Sequence, residues 1–167
     1  MTEPEWPTTG SASIRIAASP EAAYDYVTDL DTLPSLSPEN QRCEFIEGST
    51  EIVEGALFRG HNEHGGYEWS AECRVVEADR GRVFSFVVPP AWEYATTWKY
   101  TFEADGDGVV VTESFDSPML QSPDIYPGRL DGRSSPRAPA IGRSRRWATA
   151  SPGSPRSWGT TASAKFY

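Results

Sequence analysis

Few residues in this chain combine a reactive side chain with a suggestive position. His61 and Asn62 are adjacent polar residues in an alternating stretch. Neighbours on a strand point to opposite faces, so one of the two must point inward. An inward His61 would be a general acid or base, and the plainer alternative is a hydrogen-bonded hairpin pair. His64 lies three residues further on, which puts the two imidazoles on opposite faces and argues against a shared metal. Glu113 shares a face with Val111 and Phe115. Facing inward, it would be a buried carboxylate with a raised pKa, able to act as a base; facing outward, it is an ordinary surface charge. Tyr94 and Tyr100 can set a phenol against a ligand carbonyl. Phe58, Trp69, Phe84, Phe86, Trp98, Tyr100 and Phe115 are the candidate apolar wall, and aromatic residues on an inward face also simply pack. There is no nucleophile elbow, P-loop, dinucleotide fingerprint or zinc-binding His-Glu-x-x-His. No catalytic residue is therefore assigned, and no metal or cofactor is expected.

The elements that must position these groups can be read from hydrophobic period and turn residues. Ala12, Ile14 and Ile16 alternate with Ser13 and Arg15, which predicts a strand over 11–18. Ser19-Pro20-Glu21 then supplies an N-cap, a residue preset for the first helical turn and an acid at the positive end of the dipole. Ala23, Tyr26, Val27 and Leu30 follow at helical spacing, and the helix should end near 29–31. Pro34 and Pro38 limit the next stretch to a loop or a single turn. Six strands are predicted beyond it, over 42–47, 55–63, 67–78, 82–88, 94–104 and 108–116, separated by Gly, Pro and Asp turns. Tyr67, Trp69, Ala71, Cys73 and Val75 share one face, as do Tyr94, Thr96, Trp98, Tyr100 and Phe102. The fold class is α+β: a curved antiparallel sheet of about seven strands with helix on one face.

The 167 residues suffice for one domain, with a formal net charge of −9. That sign argues against nucleic acid or an anionic membrane as the main partner. No apolar run approaches a membrane span, and the acidic, Pro-rich start lacks the features of a secretory signal, so a cytoplasmic protein is expected. Cys43 and Cys73 then read as two reduced, half-buried thiols.

The stretch Ser13-Ile14-Arg15-Ile16, followed by Ala18-Ser19-Pro20-Glu21-Ala22-Ala23-Tyr24-Asp25-Tyr26-Val27-Thr28-Asp29-Leu30, resembles the opening of the START-like (SRPBCC) polyketide cyclase/dehydrase and lipid-transport superfamily. Gly55-Ala56-Leu57-Phe58-Arg59-Gly60-His61-Asn62, Trp69 and Cys73-Arg74-Val75-Val76-Glu77-Ala78 are similar to its central hairpin. Thr97-Trp98-Lys99-Tyr100-Thr101-Phe102 and Val111-Thr112-Glu113-Ser114-Phe115 are similar to its last two strands. The resemblance implies a helix-grip fold, in which the sheet wraps a long C-terminal helix around an apolar cavity. It also implies a small hydrophobic or aromatic ligand, polyketide- or lipid-like. That ligand would be cyclised or dehydrated, or carried without chemistry as in lipid carriers and stress-related binding proteins.

The expected organisation is a disordered lead over 1–10, the START-like domain over 11–131 and a different kind of segment over 132–167. That last segment has seven basic residues, no acid, four prolines, four glycines and neither Leu nor Val. It leaves 24 acidic and eight basic residues in 1–131, a net of −16. Such a composition supports no amphipathic helix. One reading is a disordered basic tail. The other is an out-of-frame product of a GC-rich gene: with G or C at the wobble positions, shifting the frame at Ala150/Ser151, Gly153/Ser154 and Arg156/Ser157 would give Leu or Val codons at three-residue spacing. Either way the long helix is missing from the sequence as written, and self-association through an uncovered apolar groove is expected.

Overall fold

Ser19 opens the first helix as its residue type requires: its Oγ accepts from the Ala22 backbone N–H at 3.1 Å, and Pro20 occupies the first helical position. The computed structural model describes residues 8–89 and 95–118. In chain order they form β1 (Thr9–Ile16), α1 (Pro20–Thr28), a 3-10 turn (Leu33–Leu36), then β2 (Asn40–Phe45), β3 (Leu57–His64), β4 (Tyr67–Asp79), β5 (Val83–Val88), β6 (Thr96–Asp105) and β7 (Gly108–Asp116). The segment 132–167, with its disordered and out-of-frame readings, lies outside the described residues, as do most of the 1–10 lead and Tyr94.

The seven strands make one sheet in the order β1-β7-β6-β5-β4-β3-β2, every neighbouring pair antiparallel. Chain order is kept from β2 to β7, and β1 closes onto β7. The β3–β4 hairpin turns through Gly65 and Gly66 at φ +60° and +86°, conformations that a two-residue turn demands and that other residues resist. Two register shifts interrupt the alternation, one at Asn40/Arg42 in β2 and one at Val75/Glu77 in β4. Bulges of this kind bend a strand and increase its twist.

The inward face of this sheet divides along its strands. At one end α1 packs on it. Ala23, Tyr24 and Val27 face the sheet, with Leu30 and Leu33 beyond them, against Phe84, Phe102, Val109 and Val111. The Tyr24 ring meets Phe102 edge-on at 5.5 Å. Helical spacing pointed to Tyr26, but Tyr24 takes the core position because it adjoins Ala23 and sits three before Val27. Tyr26 is half-buried, its hydroxyl 3.1 Å from Ser35 Oγ. Asp25 takes two hydrogen bonds from Arg80, at 2.8 and 2.6 Å, which ties the outer side of α1 to the β4–β5 turn. Further along the strands the inward residues are less enclosed: Phe86, Trp98 and Trp69 are half-buried. The convex face is polar. There the Lys99–Glu77 bridge, at 2.9 Å, spans the small side chain of Ser85, which pairs with both residues.

Candidate functional site

Tyr100 and Glu113 are cross-strand partners on β6 and β7, both on the inward face. The phenol donates to Glu113 Oε1 at 2.5 Å. Both side chains are buried. They lie one step beyond the core packed by α1: Phe102 precedes Tyr100 on that face of β6, Trp98 follows it, and Glu113 stands between Val111 and Phe115. Burial raises the Glu113 carboxyl from 4.5 to about 7, against a lowering by the Tyr100 hydrogen bond. Burial also pushes the Tyr100 phenol well above its ordinary value, and the neighbouring carboxylate adds to this. The carboxyl therefore titrates near neutrality while the phenol stays a donor. Glu113 Oε2 takes no hydrogen bond from any described residue.

The aromatic candidates separate into core and wall. Phe58 and Phe84 are 2% and 0% exposed. These two belong to the buried core cluster, beside Phe86 and Tyr100. The Phe58 ring is 5.2 Å from Phe86, and Phe84 stacks on Tyr100 at 6.1 Å. Phe86, Trp98 and Trp69 keep part of their surface on the inward face. Phe115 is buried against Trp98, ring centroids 5.8 Å apart, and its ring covers Gly10, where a Cβ would lie 2.4 Å from Phe115 Cε1. A side chain at position 10 would collide with that ring, so the close approach needs glycine there.

Of the adjacent pair, Asn62 is the inward residue. His61 lies on the convex face, where its Nε2 is 2.7 Å from Glu44 Oε1. The cause is the register: Phe58, Gly60 and Asn62 face inward, so His61 must share the outer side with Arg42 and Glu44. His64 pairs with Glu39 at 3.2 Å. Among the described residues no group of three or more His, Cys, Asp or Glu side chains is placed to hold a metal ion.

Sequence reasoning did not find Asn40, Cys43 and Gly60 as a group. A Cβ built on Gly60 would sit 3.1 Å from Asn40 Nδ2, 3.9 Å from Cys43 Sγ and 4.0 Å from Asn62 Nδ2. Asn40 and Cys43 are three apart, which in a regular strand places them on opposite faces. The shift at Asn40/Arg42 brings them together, and Asn40 Nδ2 donates to Cys43 Sγ at 3.3 Å. Both cysteines are free thiols, Cys73 buried and Cys43 half-buried, and burial raises the pKa of each.

Residues 7–132 match the family model described as polyketide cyclase/dehydrase and lipid transport. The chain belongs to that family. Membership gives it a fold that binds hydrophobic ligands, and the seven-stranded sheet is that of solved proteins with which it shares little sequence. One is DR_A0006 from Deinococcus radiodurans, with 20% identity, 72% of this chain and 93% of that chain covered, and a TM-score of 0.53. Another is the ginseng major latex-like protein 151 from Panax ginseng, with 19% identity, 74% and 91% covered, and a TM-score of 0.52. A third is the di-domain ARO/CYC StfQ of the steffimycin biosynthetic pathway, with 15% identity, 73% and 43% covered, and a TM-score of 0.54. Among curated proteins nothing matches. No helix among the described residues is long and apolar enough to cross a membrane.

Proposed function

We propose that this polyketide cyclase/dehydrase family member binds a small, largely aromatic, polyketide-like molecule on the inward face of the sheet. Its body would lie against Trp98, Phe86 and Trp69, and a hydroxyl or acidic C–H would meet Glu113. The observation that carries this reading is the Tyr100–Glu113 pair: a buried carboxyl with one oxygen committed to the phenol, set among aromatic side chains. Burying such a group costs free energy unless it is satisfied, so a core built for stability alone would favour an apolar residue there.

Carriage without chemistry is the function this geometry supports first. Acid/base chemistry is the second reading, and one observation favours it: a carboxyl that titrates near neutrality can both take and return a proton, as cyclisation with dehydration requires. Fluorescence titration with hydroxylated naphthalenes and anthracenes tests the first reading. The Trp emission should be quenched, with saturation at micromolar ligand, and Glu113→Gln should weaken hydroxylated ligands about tenfold relative to their hydrocarbon parents, as losing a charge-assisted hydrogen bond would. Equal affinity for hydroxylated and parent compounds in both proteins would remove Glu113 from the site. A turnover assay on a poly-β-keto thioester separates the second reading from the first.

The domain is proposed to end near residue 131, and the family match stopping at 132 supports that boundary. The sequence beyond it carries none of the Leu and Val residues that a long helix covering the inward face would bury, at about 1.5–3 kcal/mol each. The chain as written should therefore bind a hydrophobic dye or self-associate. The same gene read in the alternative frame after Asp131 should yield a monomer with a cooperative unfolding transition. A dye-silent, cooperatively unfolding monomer from the chain as written would sink the out-of-frame reading.

A further inference from the structure

β2 ends the sheet, and among the described residues no strand pairs with its outer side. Its bonding to β3 fixes which backbone groups that side presents. Ile46 N–H donates to Leu57 C=O at 3.1 Å. Bonded positions alternate along an antiparallel pair, so Glu44 and Arg42 also turn their N–H and C=O toward β3, and those of Cys43 and Phe45 point outward. The 3-10 turn packs against β2 without a backbone hydrogen bond to it, and no other described segment bonds to the outward groups. An edge of this kind is a template for another strand. The side chains decide which strand fits. Arg42 and Glu44 stand on the convex side, 3.0 Å apart and both exposed to water, and Glu44 also meets His61 Nε2 at 2.7 Å. A second β2 run antiparallel can bond the outward groups in three registers. Cys43 opposite Cys43 sets Arg42 of each copy against Glu44 of the other, at the closely spaced unbonded positions where side chains interact most. Cys43 opposite Phe45 sets the two Glu44 carboxylates face to face. Phe45 opposite Phe45 sets Glu44 against Ile46. The strand is therefore self-complementary in the first register. The opposite edge, β1, has no such pattern: its one charged side chain, Arg15, is tied to Asp105 and Asp107 at 2.6 Å each.

We propose that the outer edge of β2 pairs with β2 of a second copy of this chain, antiparallel, about a two-fold axis through Cys43. The contact is isologous, so it closes at two copies and does not propagate. Each copy contributes the Cys43 N–H and C=O to the other, and Arg42 and Glu44 complete two ion pairs across the axis. The irregularity at Asn40/Arg42 keeps the regular stretch short, so the dimer is weak and depends on concentration. This interface is separate from the apolar inward face, and it stands or falls independently of the ligand-binding reading.

The test uses the full chain. Sedimentation velocity over a concentration series should show a monomer–dimer equilibrium. Arg42→Glu and Glu44→Arg each turn both cross-copy pairs into like-charge pairs, and each should weaken the dimer about tenfold or more. An equimolar mixture of the two variants again sets carboxylates against guanidinium groups and should restore the dimer. Association through the apolar groove would be indifferent to all of these changes. Dibromobimane gives a second reading on the unmodified chain, and it serves if a charge variant does not fold. Each of its two arms alkylates one thiolate with loss of bromide. The Cα atoms of a bonded antiparallel pair lie about 5.5 Å apart, so the reagent should join Cys43 of the two copies into a covalent dimer on a denaturing gel. Cys43→Ser should abolish that band. A monomer at every concentration overturns the edge pairing, as does association that the charge variants leave unchanged or a loss in folded variants that the mixture does not restore. A covalent dimer that is absent, or that survives Cys43→Ser, also overturns it.

Discussion

The stability of this domain should fall as pH rises from about 4.5 to about 7, and Glu113→Gln should abolish the fall. The sign follows from proton binding. Glu113 has its pKa raised from 4.5 to about 7 by burial. Between those values the folded state holds a proton that the unfolded state has released. Stability therefore declines as pH rises through this window, and the contribution is complete below 4.5 and gone above 7. At 1.36 kcal/mol for each unit, the decline amounts to about 3 kcal/mol. The amide introduced by Glu113→Gln would keep an acceptor for the Tyr100 hydroxyl and carry no charge at any pH. The variant should match the parent near pH 5 and exceed it by up to about 3 kcal/mol at pH 8 in urea unfolding. Tyr100→Phe should act in the opposite direction. It removes the one donor to the carboxylate, so the parent's loss above pH 7 should deepen by about 1–3 kcal/mol. Parallel stability profiles for parent and Glu113→Gln across pH 5–8 would mean that the carboxyl is solvated. A stabilised variant that also loses ligand would show that the carboxylate is kept for binding.

The strands were legible because their faces differ so sharply. Aromatic residues alternate with Lys, Glu and Thr along β6, and each turn carries its Gly, Asp or Pro. Ser19-Pro20-Glu21 marked α1 for the same local reason. Glu113 could not be placed from sequence, since a carboxylate between Val111 and Phe115 is polar by type and inward by phase. The phase won because β7 is held between β1 and β6 in fixed register, and a shift of one residue would expose Val109, Val111 and Phe115 together. The His61–Asn62 choice was narrowed to one inward residue, but the alternation gave no means of saying which. The Asn40–Cys43 pairing was hidden by the irregularity at Asn40/Arg42, which changes the phase of β2 with no Gly or Pro to announce it. The split between core and wall was also invisible, because it depends on where α1 stops covering the sheet and not on any property of the strands.

That split leads to a contrast between two aromatic truncations. Phe84→Ala should cost about 3–5 kcal/mol of stability, and Trp98→Ala clearly less, despite the larger side chain lost. Phe84 is 0% exposed, lies between Phe86 and Tyr100, and is packed within the core that α1 covers. Its removal would leave a cavity bounded by residues already fixed by the sheet ladder, with little freedom to collapse. Trp98 is half-buried and sits beyond the pair, beside Phe86 and Phe115. Part of its surface is outside the core in the folded state, so truncation forfeits less burial. The effects on ligand should be reversed. Trp98→Ala removes a wall of the proposed site and should weaken binding of a hydroxylated naphthalene about tenfold, roughly the worth of one aromatic contact. Phe84→Ala, measured at a temperature where it is still folded, should weaken it far less. Urea unfolding with fluorescence titration of the same two variants provides both readings. A larger stability loss for Trp98→Ala than for Phe84→Ala would mean that the core extends past Tyr100 and Glu113 to the far end of the sheet, and would overturn the placing of a ligand against Trp98.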